Sequence, residues 1–120
     1  MQFPQESFPA TWGKTFNLSN GKVVVDDDTF SLVPNAVLTA MIGSLGDKAY
    51  NTRNYPIWNI TGYQKVFMAW MKILFSDGTE LKVSIGTDSK KRRLIAALEQ
   101  RRAAIFAAAG DPLPPLVADI

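Results

Sequence analysis

The chain has 120 residues, 47% of them hydrophobic, and 13 Lys and Arg against 11 Asp and Glu leave a net charge of +2. That length fits one domain with a real hydrophobic core. With no cysteine there is no disulfide, thiolate metal site or cysteine nucleophile; with no histidine the commonest metal ligand and the commonest general base near neutral pH are gone as well.

The N-terminus, from Met1 to Thr11, has no basic start and contains Pro4, Glu6 and Pro9, unlike a secretory signal. The longest apolar runs fall far short of the roughly 20 residues of a membrane-spanning helix. A cytoplasmic, reducing compartment is the default expectation. Residues 1–120 read as a single domain. Residues 1–13 read as a proline-rich arm that Phe3, Phe8 and Trp12 pack on the sheet, residues 14–109 as the core, and residues 110–120 as a proline-rich extended tail.

Asn20-Gly21 lies between two apolar runs and predicts a type I′ hairpin turn, pairing Leu18 with Val23 and Phe16 with Val25. A second turn over Asp27-Asp28 would set Val25 opposite Phe30 and Val23 opposite Leu32. Asp tolerates turn geometry, and the spacing, glycine and distal Glu of a calcium loop are missing, so the acidic run reads as a turn and no metal is expected. Pro34 ends the third strand. Asn35 to Gly46 reads equally as a short helix or an apolar loop. From Tyr50 to Tyr63, Ile57, Trp58, Ile60 and Tyr63 read as buried anchors, Pro56 as an edge or bend, and Gly62 as a bulge or a close backbone approach.

Leu81-Lys-Val-Ser-Ile85 alternates cleanly. A three-residue loop, Ser76-Asp77-Gly78, sets Leu81 against Ile73, Val83 against Met71 and Ile85 against Ala69, with Gly78 in the left-handed position such loops need. Trp70 and Leu74 then face the other side, which calls for a cover. A helix is predicted over about 88–109, N-capped by Asp88 or Ser89, with a stripe of Leu94, Ile95, Leu98, Ile105 and Phe106, and stopped by Gly110 before Pro112.

Some six or seven strands followed by one helix resemble bacterial pleckstrin-homology-like domains. The residues carrying the resemblance are Val23-Val-Val-Asp-Asp-Asp-Thr-Phe-Ser-Leu32, Tyr55-Pro-Ile-Trp-Asn-Ile60, Ile73-Leu-Phe-Ser-Asp-Gly-Thr-Glu-Leu81, and the helix with Leu94, Leu98 and Arg101-Arg102. The resemblance implies a mainly β fold: a strongly bent antiparallel sheet, or barrel, capped by the C-terminal helix. It also implies a scaffold that binds lipid, peptide or protein. Basic residues spread over a long first hairpin loop, the phosphoinositide pattern of the family, are missing here.

Lys90-Lys91-Arg92-Arg93, with Arg101 and Arg102, give the helix six cations against Asp88 and Glu99. Cations in a first turn oppose the helix dipole, so Lys90, Lys91, Arg92 and Arg93 are candidate contacts for a partner or an anion. Ala96, Ala97, Ala103 and Ala104 form a small-residue face suited to a homodimer contact. Val37, Leu38, Met41 and Ile42 form a candidate interaction loop. Nucleic acid is not expected, because aromatics are not interleaved with the basic run. No catalytic motif or cofactor motif is visible. The expected function is therefore a non-enzymatic module acting through protein contacts or self-association, with anionic lipid binding through the helix start as the alternative. An enzyme using paired carboxylates is the least favoured reading.

Overall fold

The computed structural model describes residues 3–14, 17–35 and 52–119. These form one open, bent sheet and one long helix. In chain order the strands are β1 (Glu6–Lys14), β2 (Asn17–Val25), β3 (Thr29–Pro34), β4 (Arg53–Pro56), β5 (Ile60–Phe67), β6 (Trp70–Phe75), β7 (Glu80–Ser84) and β8 (Val117–Asp119). A 3-10 turn, Ile57–Asn59, links β4 to β5, and the helix α1 runs over Asp88–Ala109. The order across the sheet is β4-β3-β2-β1-β7-β6-β5-β8.

Alternation places the core. Val23 and Val25, Phe30 and Leu32, Met71 and Ile73, and Leu81 and Val83 point to one side and are buried. Val25 faces Phe30 and Val23 faces Leu32, as the second turn predicts. Ile73 faces Leu81 and Met71 faces Val83, as the three-residue loop predicts, and Gly78 takes φ 89°. That ladder ends at Trp70–Ser84, so Ala69 and Ile85 lie just beyond it. On the outer side Trp70 and Leu74 are half-buried, with the Lys82 ammonium 5.4 Å from the Trp70 ring centre and Lys72 3.1 Å from Glu80.

The first hairpin differs from expectation. Asn20-Gly21 is no turn but the middle of β2, where Gly21 pairs with Ala10 on one side and Pro34 on the other. Val23 pairs with Phe8 rather than Leu18, which is 45% exposed. A β-carbon at residue 21 would lie 2.0 Å from the Val33 carbonyl oxygen and 2.7 Å from the Trp12 ring, so the glycine serves close packing. Residues 6–14 are accordingly a strand between β2 and β7 rather than an arm, and Phe8 and Trp12 belong to the core. Seven strands precede the helix, within the expected six or seven, and β8 after it makes eight in the sheet.

The bend has a visible cause. β1 pairs with β2 along its whole length but with β7 only at Thr11–Ser84 and Trp12–Val83. Two lobes therefore hinge at a narrow seam occupied by the buried Trp12. Phe30, Tyr55 and Phe75 stack across them with ring centres 5.3 to 6.1 Å apart. Ile57, Ile60 and Tyr63 are buried as expected, whereas Trp58 is 45% exposed. Gly62 meets both expectations: the ladder slips between Ile60 and Gly62, and the chain at Val117 passes close over it. Pro56 ends β4, the edge strand.

The N-cap is Thr87, one residue before the predicted cap, and its hydroxyl accepts from the Lys90 amide at 3.2 Å. Gly110 ends α1 in the left-handed conformation. Leu94 and Leu98 are fully buried against the sheet, with Ile95 and Ile105 beside them.

Candidate functional site

The β5–β6 hairpin departs from ordinary turn chemistry. Its ladder slips between Lys65–Met71 and Phe67–Trp70, leaving Val66 as an extra, bulged residue. A bulge increases local twist and re-aims the side chains beyond it. The chain then turns at Met68, the one non-glycine with positive φ among the described residues, at 53°. A side chain there costs about 1–2 kcal/mol relative to the right-handed conformation. Val66, Phe67 and Met68 are 38%, 66% and 73% exposed. Three successive apolar residues thus stand in solvent at a turn where Asn or Gly would be the comfortable choice.

Beneath this tip lies a cleft of about 610 Å3 lined by Lys65, Phe67, Met68, Trp70, Ser84 and Thr87. Lys65 and Asp88 also border an adjoining cleft with Lys91 and Arg92. The apolar tip is therefore flanked by cations from β5 and from the start of α1.

The four predicted cations do not form one patch, because successive helical residues point about 100° apart. Lys90 is exposed toward Thr11, Asn20 and Ser84. Lys91 is buried, its Nζ 3.3 Å from Asp88. Arg92 is exposed toward Lys65. Arg93 lays its guanidinium 5.7 Å from the Phe8 ring centre. The predicted loop Val37, Leu38, Met41 and Ile42, with the rest of the Asn35–Gly46 segment beyond Asn35, lies outside the described residues. The alanine face is also broken up: Ala97 is buried and Ala104 half-buried, while Ala96 and Ala103 are exposed. The tip itself escapes sequence inspection. Its one trace is the run Val66-Phe-Met-Ala-Trp70, which breaks the alternation of both flanking strands and contains no turn residue.

A second constellation is internal. Arg101 and Arg102, counted in the sequence among the six cations of the helix, are 0% and 2% exposed. Arg101 Nη1 donates to Glu6 Oε2 at 3.2 Å and to the Ala97 carbonyl at 3.0 Å, and Nη2 donates to the Pro4 carbonyl at 2.8 Å. Its guanidinium lies 4.9 Å from the Phe3 ring centre. Arg102 turns the other way. It donates to the Ile60 carbonyl (3.2 Å), Glu99 Oε1 (3.1 Å) and the Pro114 carbonyl (2.7 Å). Tyr63 Oη donates to the other Glu99 oxygen at 2.8 Å. Burial, reinforced by the Glu99 carboxylate, holds the Tyr63 phenol well above its ordinary range. It remains a hydrogen-bond donor and is a poor proton shuttle. These arginines hold the N-terminal and C-terminal segments against the helix. The acidic turn does related work: Asp27 Oδ1 accepts from the Phe3 amide at 3.1 Å and Asp26 Oδ1 from the Gln5 amide group at 2.8 Å.

No protein-family model matches the chain, and no curated protein matches it in sequence. Solved structures do match in shape. The PH domain of human oxysterol binding protein-related protein 11 superposes with a TM-score of 0.66 at 7% identity, over 92% of this chain and 90% of that one. The linker-DH/PH domains of p115-RhoGEF superpose with a TM-score of 0.63 at 12% identity, over 82% of this chain. The Spt16D Pob3N heterodimer gives 0.62 at 16% identity, over 86% of this chain. The match spans 28% of the p115-RhoGEF chain and 53% of the Spt16D Pob3N chain. Seven sequential strands in a bent sheet, a helix packed on it by Leu94 and Leu98, and these superpositions establish a pleckstrin-homology-like fold for this chain.

Proposed function

We propose that this chain is a non-enzymatic binding module that engages a protein partner through the β5–β6 tip. The observation that carries the proposal is the contiguous exposure of Val66, Phe67 and Met68 on a strained turn above a cleft. Monomeric proteins rarely expose contiguous apolar surface without a use for it, and strained non-glycine turns concentrate at functional sites. One similar structure, the Spt16D Pob3N heterodimer, is itself a protein assembly. The test compares the wild-type chain with Phe67→Ser/Met68→Ser in light scattering and pull-down. Wild type should self-associate or retain a protein that the double variant loses while remaining folded. A strictly monomeric wild type without a partner, or a partner kept by the double variant, overturns the proposal.

Lys65 and Arg92 beside the tip favour a second reading, contact with an anionic lipid surface. Each Lys or Arg near such a surface contributes about 1 kcal/mol, with apolar tip residues entering the interface. Flotation with phosphatidylserine vesicles at low salt decides it, and absence of binding there removes the lipid reading.

A further inference from the structure

The C-terminal tail joins a well-built receptor to a loosely seated occupant. On the receptor side, a β-carbon at Gly62 would lie 2.4 Å from the Val117 carbonyl oxygen, so β5 accepts a neighbouring strand there only because residue 62 is glycine. Beside it the buried Arg102 points Nη2 at the Pro114 carbonyl, 2.7 Å away, while Ile60 and Glu99 hold its Nε and Nη1. Tyr63 fixes Glu99 in turn. The charged donor is thus aimed by groups outside the tail.

On the occupant side, β8 pairs in parallel with β5 only at Gly62–Val117, Tyr63–Ala118 and Gln64–Asp119. Of residues 111–119, Leu116 alone is partly buried, and the others are exposed. Parallel pairing is slightly less stable per residue than antiparallel, and so short a strand adds little. Pro112, Pro114 and Pro115 keep the connection extended and stiff.

We propose that the β5 edge from Gly62 to Gln64, together with Arg102, is a strand-docking site filled in cis by residues 111–119, and that the tail of a second copy docks there by exchange. The second copy is the fitting occupant because its tail carries the same Pro114 carbonyl, the same Leu116 and the same Val117–Asp119 backbone. Contacts released in cis are recovered in trans, so the balance rests on the connection after Gly110. That glycine, at φ 75°, can re-aim the chain without a side-chain penalty. Short linkers give effective concentrations in the millimolar range, so exchange is expected as protein concentration approaches about 1 mM.

The chain contains no cysteine, so an introduced pair reports position without background. Gln64 and Asp119 face each other across the β5–β8 pair, and both are exposed. In the double variant Gln64→Cys/Asp119→Cys, oxidised glutathione should link positions 64 and 119 within one chain. Full-length Gln64→Cys and Asp119→Cys chains, mixed at about 1 mM, should link the same positions between copies, read by non-reducing electrophoresis and mass spectrometry of the joined peptides. Val117→Cys, two residues out of register, should link to position 64 several-fold less. No 64–119 linkage between copies, or equal linkage to position 117, overturns the exchange. A double variant that stays open in cis overturns the docking site. Phe67→Ser/Met68→Ser should leave all linkages unchanged, which separates this inference from the proposed role of the hairpin tip.

Discussion

Trp12 lies directly over Gly21: a β-carbon on residue 21 would fall 2.7 Å from the indole ring and 2.0 Å from the Val33 carbonyl oxygen. The absence of a side chain on β2 therefore sets how far Trp12 enters the seam between the two lobes. Gly21→Ala should lower stability by about 3 kcal/mol, because backbone on one side and a buried ring on the other must both shift. Urea unfolding followed by tryptophan fluorescence checks this. A change within about 0.5 kcal/mol, the usual surface range, would contradict it.

Arg102→Lys keeps the charge but not the fork that serves three acceptors on separate elements. It should cost about 2–3 kcal/mol, because the carbonyl of buried Ile60 and the Glu99 carboxylate lose a charged donor. Hydrogen exchange should speed up first at the amides of Val117 to Asp119. Faster exchange spread evenly over the sheet, with none localised to β8, would count against Arg102 as the residue that holds the tail.

Tyr63 gives a pH dependence with a definite sign. Its phenol titrates higher in the folded chain than in the unfolded one. The stabilising contribution is therefore complete below the unfolded tyrosine pKa, about 10, and declines as pH rises above it, because only the unfolded chain ionises readily. Tyr63→Phe should flatten the fall in urea midpoint between about pH 9 and 11. At neutral pH it should cost roughly 1 kcal/mol for the lost hydrogen bond to Glu99. An unchanged alkaline slope in the variant would refute the assignment.

Met68→Gly separates the strain of the tip from its surface. Glycine at φ 53° relieves the left-handed penalty and should raise stability by up to about 1 kcal/mol. Partner or vesicle binding should weaken at the same time, since the most exposed apolar side chain of the turn is removed. Phe67→Ser should leave stability within about 0.5 kcal/mol while weakening binding as well. A stabilised Met68→Gly that binds as wild type would place the binding surface elsewhere.

How legible each feature was depended on how far away its cause lay. The β6–β7 register could be read from the chain because alternation at Met71, Ile73, Leu81 and Val83 admits one loop length, and Gly78 supplies the turn. The helix ends were legible within a residue, since caps act over three or four positions. Asn20-Gly21 is equally local as a signal, yet the nine-residue strand β2 overrides it, because pairing on both sides and the Trp12 contact outweigh one turn preference. The burial of Arg101 and Arg102 was not legible, because their acceptors, Pro4, Glu6, Ile60 and Pro114, are far along the chain.

The sequence by itself determined the class of the fold. Two-residue alternation, turn residues and one capped helical stripe leave few ways to bury so many apolar side chains in a chain of this length. It also ruled out cysteine and histidine chemistry by their absence. Only the tertiary structure decided which charges are buried, which glycines serve packing, and which apolar residues stay in solvent. Those outcomes depend on what a residue meets across the fold: a carbonyl from the tail at Arg102, an indole at Gly21, open water at Phe67 and Met68. Local periodicity does not record such distant encounters, so the β5–β6 tip and the seat of the tail beside β5 emerge only once the sheet has bent around Trp12.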